Sequence, residues 1–172
     1  MIDRATLEAR LRELRPATDE AEVAMIVQRL RDEGRSTPMF AELDPERGLV
    51  GDRWALGKKR LVAQITVMRW DVASLLTPTP ELLGDNLFAA IDTSAANLPP
   101  GAIVTVGPAR CVVTPEPHTG CKKFAARAGA DALAVTQAPA WKQHQLRGVH
   151  LQVLEGGVVR LGDRIRVVSR PA

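Results

Sequence analysis

The stretch that decides the fold is LPPGAIVTVGPARCVVT, residues 98–114. It opens with the turn-forming sequence LPPG at 98–101 and continues with a β-branched run at 103–106. A second turn at 107–108 separates that run from another over 110–114. Two short runs of strand-forming residues joined by a tight turn predict a pair of antiparallel strands.

Similar short runs surround this pair and are separated by turn-forming residues. Further candidate strands lie at residues 61–68, 87–91, 149–154 and 165–168. The dipeptide Gly156-Gly157 predicts a tight hairpin, and residues 122–136 predict one helix within the strand series. Many short strands with a few helices predict a mainly β fold, with antiparallel or mixed strands in a barrel-like sheet.

The N-terminal region gives two conflicting signals. Three leucines at helical spacing predict a helix over residues 6–15, which Pro16 ends. Asp19 and Glu22 then form a capping-box pattern, which favours a second helix over residues 21–33. The apolar and partly β-branched residues 23–27 are equally compatible with a strand, because periodicity over so short a run does not separate the two.

The composition is that of a globular protein. The chain has 172 residues, of which 45% are hydrophobic and 25% are charged. It has no apolar run of about 18 residues that could cross a bilayer, and its start lacks the apolar core of a signal peptide. Two cysteines are too few for a disulfide scaffold. We therefore expect a cytoplasmic protein with no membrane partner.

Positive charge is concentrated near the C-terminus. Residues 110–172 contain ten basic and four acidic residues, whereas residues 36–109 contain six and eight. This excess predicts a surface for an anion. Tyr is absent and Phe and Trp number three each, so the aromatic platforms of single-strand nucleic-acid binders are largely missing. We expect a small phosphorylated ligand and no nucleic acid.

The densest group of reactive residues is PHTGCKKF, residues 117–124, between a predicted strand and a predicted helix. Cys121 would there lie near the positive end of a helix dipole, with Lys122 and Lys123 beside it. Both effects favour the thiolate over the thiol.

Four roles are open for Cys121 on the residues alone. It could be a buried core residue, a nucleophile with a histidine base, or a soft sulfur for sulfur transfer or metal ligation. It could also bind zinc with His118 and one of Cys111, His144 or His150. Cys111, inside a predicted strand, is itself expected to be a small buried hydrophobe.

Several further motifs stand in order along the chain around the segment 117–124. They are GLVGDRW at 48–54, GDNL at 84–87, LPPG at 98–101, DAL at 131–133, LRG at 146–148 and VRLGD at 159–163. This ordered set resembles the MOSC family, named after the C-terminal domain of molybdenum cofactor sulfurases. The resemblance implies an N-terminal helical appendage over residues 1–20 and a β-barrel-like MOSC domain over residues 21–172. It also favours a strand in the disputed segment 21–33.

The resemblance implies that the protein binds the molybdenum cofactor and handles its sulfur. Cys121 would be a persulfide carrier or a molybdenum ligand, and His118 accompanies it as a candidate catalytic residue. Arg and Lys are the side chains that hold the phosphate of such a cofactor. The residues expected to bind the cofactor are Arg53, Thr119, Gly120, Lys122, Lys123, Arg127 and Arg147.

Two alternatives stay open within this resemblance. One is a molybdenum-dependent reductase of N-hydroxylated compounds that uses a separate electron-transfer protein, and the other is a non-catalytic cofactor carrier. The length of the chain predicts a stand-alone member, so pyridoxal phosphate would enter only through a separate cysteine desulfurase partner. Residues 55–60 are short and basic where many such reductases have a His- or Gly-rich stretch, which weakens the expectation of cofactor contacts from this loop.

Overall fold

The computed structural model describes residues 2–171 of the chain. Its helices are α1 (Arg4–Glu13), α2 (Trp70–Leu76), α3 (Lys122–Ala128) and α4 (Ala130–Gln137), with 3₁₀ turns at Arg53–Leu56, Leu61–Ala63, Pro80–Leu83 and Pro139–His144. Its strands are β1 (Glu20–Ile26), β2 (Gln28–Arg29), β3 (Arg35–Ser36), β4 (Phe40–Asp44), β5 (Gly48–Leu49), β6 (Ile65–Arg69), β7 (Leu87–Ala89), β8 (Ile103–Val106), β9 (Ala109–Val113), β10 (Val149–Glu155), β11 (Gly157–Arg160) and β12 (Arg164–Ser169).

Seven strands close into a barrel in the order β1-β12-β8-β9-β10-β6-β7. The pair β6 and β7 is parallel, and the other neighbours in the barrel are antiparallel. Strands β11, β4 and β5 form a small sheet beside the barrel, and β2 and β3 form a short hairpin. The predicted mainly β, barrel-like fold with a few helices is confirmed.

Alternating side chains fill the barrel interior. Val104 and Val106 of β8 are buried, as are Cys111 and Val113 of the neighbouring β9. Successive side chains of a strand point to opposite faces, so this alternation turns one face of each strand toward a shared core. Cys111 is therefore the small buried hydrophobe that the sequence predicts.

Strands β6 and β7 are covered on both faces. Val67 of β6 belongs to the barrel core, whereas Met68 of β6 and Phe88 of β7 belong to a second apolar cluster outside it. Leu7 and Leu11 of α1 are buried in this second cluster. Helix α1 thus packs against α2 and α4 in the apolar cluster outside the barrel. The predicted division at residues 20 and 21 stays a prediction, and its two outer ends, Met1 and Ala172, lie outside the described residues.

The disputed N-terminal segment is extended, as the resemblance predicts. In β1, Ala21 and Val23 are buried between exposed neighbours, and the strand pairs with both β12 and β7. The helix indicated by Asp19 and Glu22 is wrong, because pairing and burial in the barrel outweigh a local capping preference.

The remaining strand predictions agree with the structure in most places. Strands over 87–91, 103–106, 110–114, 149–154 and 165–168 are confirmed as β7, β8, β9, β10 and β12, and the helix over 6–15 is confirmed as α1. The strand predicted over 61–68 begins only at Ile65, because Leu61–Ala63 forms a 3₁₀ turn.

Glycine geometry explains two further corrections. The single helix predicted over 122–136 is broken at Gly129, which has a φ of 99°. The tight hairpin predicted at Gly156 and Gly157 is wrong. The strand that follows these glycines, β11, pairs with β4 and not with the preceding strand β10. A Cβ on Gly156 would lie 2.7 Å from the carbonyl oxygen of Leu43, so glycine permits this close approach of the chain to β4.

No helix among residues 2–171 has both the length and the apolar character that a membrane crossing requires.

Gly148 is the position where the barrel least tolerates a side chain. Its φ is +87°, and a Cβ would lie 1.8 Å from the carbonyl oxygen of Val67. We expect Gly148→Ala to lower the free energy of unfolding by about 2–4 kcal/mol, through steric overlap and backbone strain together. Urea unfolding followed by circular dichroism measures this difference.

Gly162 provides the matched control, because its φ is +83° and nothing lies within 4 Å of a Cβ there. Gly162→Ala should cost about 1–2 kcal/mol, the strain component alone. Equal destabilisation by the two substitutions would contradict the steric argument.

Candidate functional site

A buried carboxylate joins the segments that build the site. Asp52 accepts hydrogen bonds from the backbone N–H of Arg29 at 2.7 Å and from its Nε and Nη2 at 2.9 and 2.8 Å. It also accepts from the backbone of Trp54 at 2.8 Å and from Nδ2 of Asn86 at 3.0 Å. Burial raises the pKa of Asp52, but the hydrogen bonds and charge of Arg29 outweigh it, so its pKa lies below the ordinary value.

This arrangement forms one wall of a basic cleft of about 430 Å³. Among the described residues, its lining contains no Asp or Glu. The lining residues are Arg29, Arg53, Trp54, Gly57, Lys58, Lys59, Arg60, Ala63, Thr66, Gly84, His118 and His150. Such a surface attracts an anion.

The cations of this cleft differ in whether a carboxylate already holds them. Arg29 is bound by Asp52, and Arg60 is 2.9 Å from Glu116. Lys58 and Lys59 form no ion pair within residues 2–171 and are exposed. The two lysines are therefore the cations most available to an incoming anion.

A second buried group, around Asp85, adjoins the cleft at His118. Nη1 of Arg147 is 3.0 Å from Oδ2 of Asp85, and the Arg147 guanidinium lies 4.2 Å from the centre of the Phe124 ring. Nη2 of Arg147 is 3.3 Å from Nε2 of His118. The Arg147 side chain is 5% exposed, so its charge is committed to Asp85 inside the protein.

His118 is enclosed by this group. Its Nε2 is 3.3 Å from Nη2 of Arg147, which can only donate, and 3.4 Å from Oδ1 of Asp85, a carboxylate oxygen. Burial lowers the pKa of His118 to about 3, although the adjacent carboxylate of Asp85 works in the opposite direction. The ring is neutral, and its buried Nδ1 has no hydrogen-bond partner among residues 2–171.

His118 also separates the basic cleft from a second cavity of about 650 Å³. Apolar residues such as Pro117 and Leu146 line this cavity together with polar ones such as Thr119 and Gln137. The ring of His150 lies 4.6 Å from that of His118 on the cleft side, and burial lowers the pKa of His150. Two neutral histidine rings thus lie side by side at the cleft, and His118 also lines the mixed cavity.

The two cysteines have different environments. Cys121 is exposed and immediately precedes α3, whereas Cys111 is buried in the barrel. The buried core role for Cys121 is therefore wrong. Among residues 2–171, Cys121 does not line either cavity beside His118 and forms no hydrogen bond with that ring.

The zinc alternative also finds no support in the geometry. No three His, Cys, Asp or Glu side chains among residues 2–171 converge in a way that could hold a metal ion. The ring of His144 lies 5.0 Å from that of Trp141, and His144 lines neither cavity beside His118.

The other residues predicted to bind the cofactor do not form one group. Arg53 lines the basic cleft, and Thr119 and Arg147 line the second cavity. Lys123 and Arg127 contact Glu33 at 2.9 and 3.5 Å. Gly120 accepts a hydrogen bond from Gln137 through its carbonyl oxygen, and Lys122 is exposed in the first turn of α3.

Sequence reasoning missed most of the cleft. Its cations come from residues 29–60, not from the basic stretch 110–172. Lys58, Lys59 and Arg60 belong to the loop in which cofactor contacts were not expected. The available signals were the three consecutive basic residues and the motif residues Asp52 and Asp85, whose burial becomes apparent only in the folded chain.

Exposure predicts selective alkylation of the native protein. Iodoacetamide should label Cys121 alone, at one equivalent per chain, because burial shields Cys111 and raises its pKa to about 12. Peptide mass mapping identifies the labelled residue. The native Cys121→Ser variant should take up no label, while unfolding in urea should expose Cys111. Comparable labelling of both native thiols would contradict the assignment.

The buried neutral state of His118 predicts an acid-sensitive fold. Between the ordinary pKa of 6.5 and the folded value of about 3, the unfolded chain binds a proton that the folded chain does not. The free energy of unfolding should therefore fall as the pH drops from about 6.5 toward about 3, with the full contribution present above that window.

Urea unfolding at about pH 7 and about pH 5 measures this dependence. His118→Gln should reduce the loss between the two pH values, and His144→Gln, at an exposed position, should leave it unchanged. An unchanged pH dependence in His118→Gln would contradict the argument.

The chain matches the family model of the MOSC domain over residues 67–166. A search of curated proteins finds no match.

Three solved structures share the fold. YuaD from Bacillus subtilis has 16% sequence identity and a TM-score of 0.66, over 88% of this chain and 97% of its own. YiiM from Escherichia coli has 19% identity and a TM-score of 0.58, over 88% and 71%. YiiM from Geobacillus stearothermophilus has 16% identity and a TM-score of 0.56, over 87% and 76%. The family match covers more than half of the chain and includes the barrel strands around His118 and Arg147, and the protein belongs to the MOSC domain family.

Proposed function

We propose that this protein binds the molybdenum cofactor through the basic cleft and handles its sulfur through Cys121. The observation that carries the proposal is the cleft itself, which collects five cationic side chains and, within the described residues, no carboxylate in its lining. A phosphate group is the anion such a surface accommodates best, since both Arg and Lys form charge-assisted hydrogen bonds with its oxygens.

Lys58 and Lys59 provide the charge for that phosphate. Both are exposed at the cleft and have no carboxylate partner within residues 2–171. Arg53 adds a guanidinium that it shares with Glu33, at 2.8 Å. Arg29 holds the cleft wall through Asp52 and is less free to move toward a ligand.

The unpartnered Nδ1 of His118 supports a bound ligand beside the cleft. A buried polar atom without a partner is unfavourable, and a hydrogen-bonding atom of a ligand would satisfy it. The second cavity, on the other side of His118, combines apolar and polar residues, which suits a flat heterocycle with hydrogen-bonding edges. When bound, the cofactor supplies a molybdenum centre for redox or sulfur chemistry.

Cys121 suits the sulfur step because its thiol is exposed. A thiolate is both a soft metal ligand and a nucleophile toward a persulfide. In sulfur transfer from a cysteine desulfurase partner, the Cys121 thiolate attacks the terminal sulfur of the donor persulfide. A new S–S bond forms on Cys121, the donor S–S bond breaks, and the donor leaves as a thiolate. In the ligand role, the same thiolate would bind the molybdenum of a cofactor that extends beyond the two cavities, since Cys121 lines neither of them.

The cleft lysines give the first test. The protein is expressed in a host that makes the cofactor, and molybdenum and the fluorescent oxidised pterin are quantified per chain. The wild type should be loaded near stoichiometry, and Lys58→Gln/Lys59→Gln should lose at least about tenfold, since a hydrogen bond to a charged group contributes about 1.5–3 kcal/mol. Arg10→Gln/Arg164→Gln removes the same charge from other surfaces and should load normally.

Cys121→Ser separates the two roles of the thiol. Loss of molybdenum with retention of the pterin identifies Cys121 as a metal ligand. A mass increase of one sulfur atom on wild-type Cys121 after incubation with a cysteine desulfurase and cysteine identifies a persulfide carrier. Absence of metal, pterin and added sulfur from the wild type would contradict the proposal.

A further inference from the structure

A cavity of about 620 Å³ lies beside α1, apart from the site described above. We call it the α1 cavity. Among residues 2–171 it shares only Leu146 with the second cavity and no residue with the basic cleft. Its volume is that of a small-molecule site. The lining residues are Arg4, Glu8, Leu11, Arg12, Leu14, Arg15, Pro16, Arg69, Asp92, Ala140, Trp141, His144 and Leu146.

One face of α1 supplies most of the charge in this cavity. Residues 4, 8, 12 and 15 follow one another at spacings of four, four and three, which places them in one stripe along the helix. The carboxylate of Glu8 is 2.9 Å from Nε of Arg4 and 3.6 Å from Nη2 of Arg12. Arg15 forms no ion pair within residues 2–171, and its Nη1 donates to carbonyl oxygens at the end of the helix. Arg15 therefore brings a positive charge that no carboxylate neutralises.

A buried guanidinium at the end of β6 has one unused donor. Arg69 is 4% exposed, and its Nε and Nη2 donate to the two carboxylate oxygens of Asp71 at 3.0 and 2.7 Å. Its Nη1 donates no hydrogen bond within residues 2–171 and is not enclosed by protein atoms. Because Arg69 lines the α1 cavity, this nitrogen is available to an anionic oxygen of a ligand, and such charge-assisted hydrogen bonds are strong.

The rest of the lining is largely apolar and aromatic. The rings of Trp141 and His144 have centres 5.0 Å apart, and the Arg12 guanidinium is 5.8 Å from the centre of the Trp141 ring. Leu11 and Leu146 contribute buried apolar side chains. Aromatic rings and guanidinium groups both pack favourably against the ring of a ligand. The α1 cavity therefore combines a surface for a flat apolar body with donors for an anion.

The carboxylates in the lining determine which anion fits. Four arginines line the cavity, together with Glu8 and Asp92. Both carboxylate oxygens of Asp92 accept from Ser94, at 2.9 Å each, so Asp92 has a fixed position. Like charges repel in proportion to their product, and a doubly charged phosphate is therefore penalised more than a singly charged carboxylate.

We propose that the α1 cavity binds a small aromatic carboxylate. Its carboxylate is held by Arg69 and Arg15, and its ring packs on the apolar lining beside Trp141. The inference goes beyond cofactor binding, because it needs no pterin, phosphate or metal and uses none of the residues expected to hold the cofactor.

The probe is 2-naphthoate, titrated into the full chain by isothermal titration calorimetry at low salt. We expect a dissociation constant of about 100 μM or below, as for a ligand of this size that uses both its ring and its charge. The neutral analogue 2-naphthylmethanol and the dianion 2-naphthyl phosphate should each bind at least about fivefold more weakly. Equal affinity for the carboxylate and the neutral analogue would overturn the inference.

Substitutions at exposed positions locate the ligand without disturbing the core. Arg15→Gln should weaken 2-naphthoate binding at least about fivefold, and Arg10→Gln, on the same helix but outside the cavity, should change it by less than about twofold. Ala140→Phe fills the cavity and should weaken binding at least about tenfold. Ala134→Phe, at an exposed alanine of α4 outside the cavity, is its matched control and should bind normally.

Arg69→Lys tests the unused donor. A lysine keeps a positive charge beside Asp71 but replaces the planar guanidinium with a single ammonium. Affinity for 2-naphthoate should fall at least about fivefold, and urea unfolding of the same variant shows whether it is folded. If this variant does not fold, Arg15→Gln and Ala140→Phe still decide the proposal.

The outcomes separate this site from the proposed function. No binding of 2-naphthoate at millimolar concentration, or unchanged affinity in both Arg15→Gln and Ala140→Phe, would overturn the inference. Binding of 2-naphthoate without cofactor loading of the wild type would leave the α1 cavity standing and remove the cofactor proposal. Normal cofactor loading without binding of 2-naphthoate would do the reverse.

Discussion

The buried Asp52 carboxylate is the interaction on which the rest of the site depends. It accepts hydrogen bonds from Arg29, Trp54 and Asn86, which belong to three separate segments. A buried charge is tolerated only when it is paired and fully hydrogen-bonded, so these segments are fixed relative to one another. Asn86 carries the connection into the barrel, because it also hydrogen-bonds Thr66 of β6. The wall of the cleft is therefore fixed to the barrel through Asn86.

The division between bound and free cations follows from this arrangement. Arg29 and Arg147 each have a buried carboxylate, Asp52 or Asp85, and they hold the walls of the site. Lys58 and Lys59 lie in a loop without such partners and face the open cleft. A guanidinium with a fixed fork suits the first role, and a flexible ammonium suits the second. Positively charged side chains thus have two roles in this site: the arginines fix its walls, and the lysines are available to a ligand.

The sequence predicts the barrel well because its signal is local. Alternation in β8 and β9 is visible residue by residue, and the turn at 107–108 joins the two strands directly. Strands β4 and β11 gave no such signal, since their pairing joins residues 40–44 to 157–160 across most of the chain. In β1 the local capping pattern even favoured the wrong element, and the family resemblance gave the correct one. Periodicity is thus reliable where strand neighbours are close in sequence.

The site is harder to predict because the net charge of a sequence segment does not give the charge of the surface that the segment forms. Residues 36–109 carry more acidic than basic residues, yet they supply four of the five cleft cations. None of the acidic residues of this stretch lines the cleft, and Asp52 is buried in its wall. Arg147 shows the converse, since a motif arginine expected to hold a phosphate is bound to Asp85 inside the protein. A surface is basic where the fold buries the nearby carboxylates or places them elsewhere. Contacts between residues that are distant in sequence, such as Arg29 and Asp52, determine which carboxylates these are.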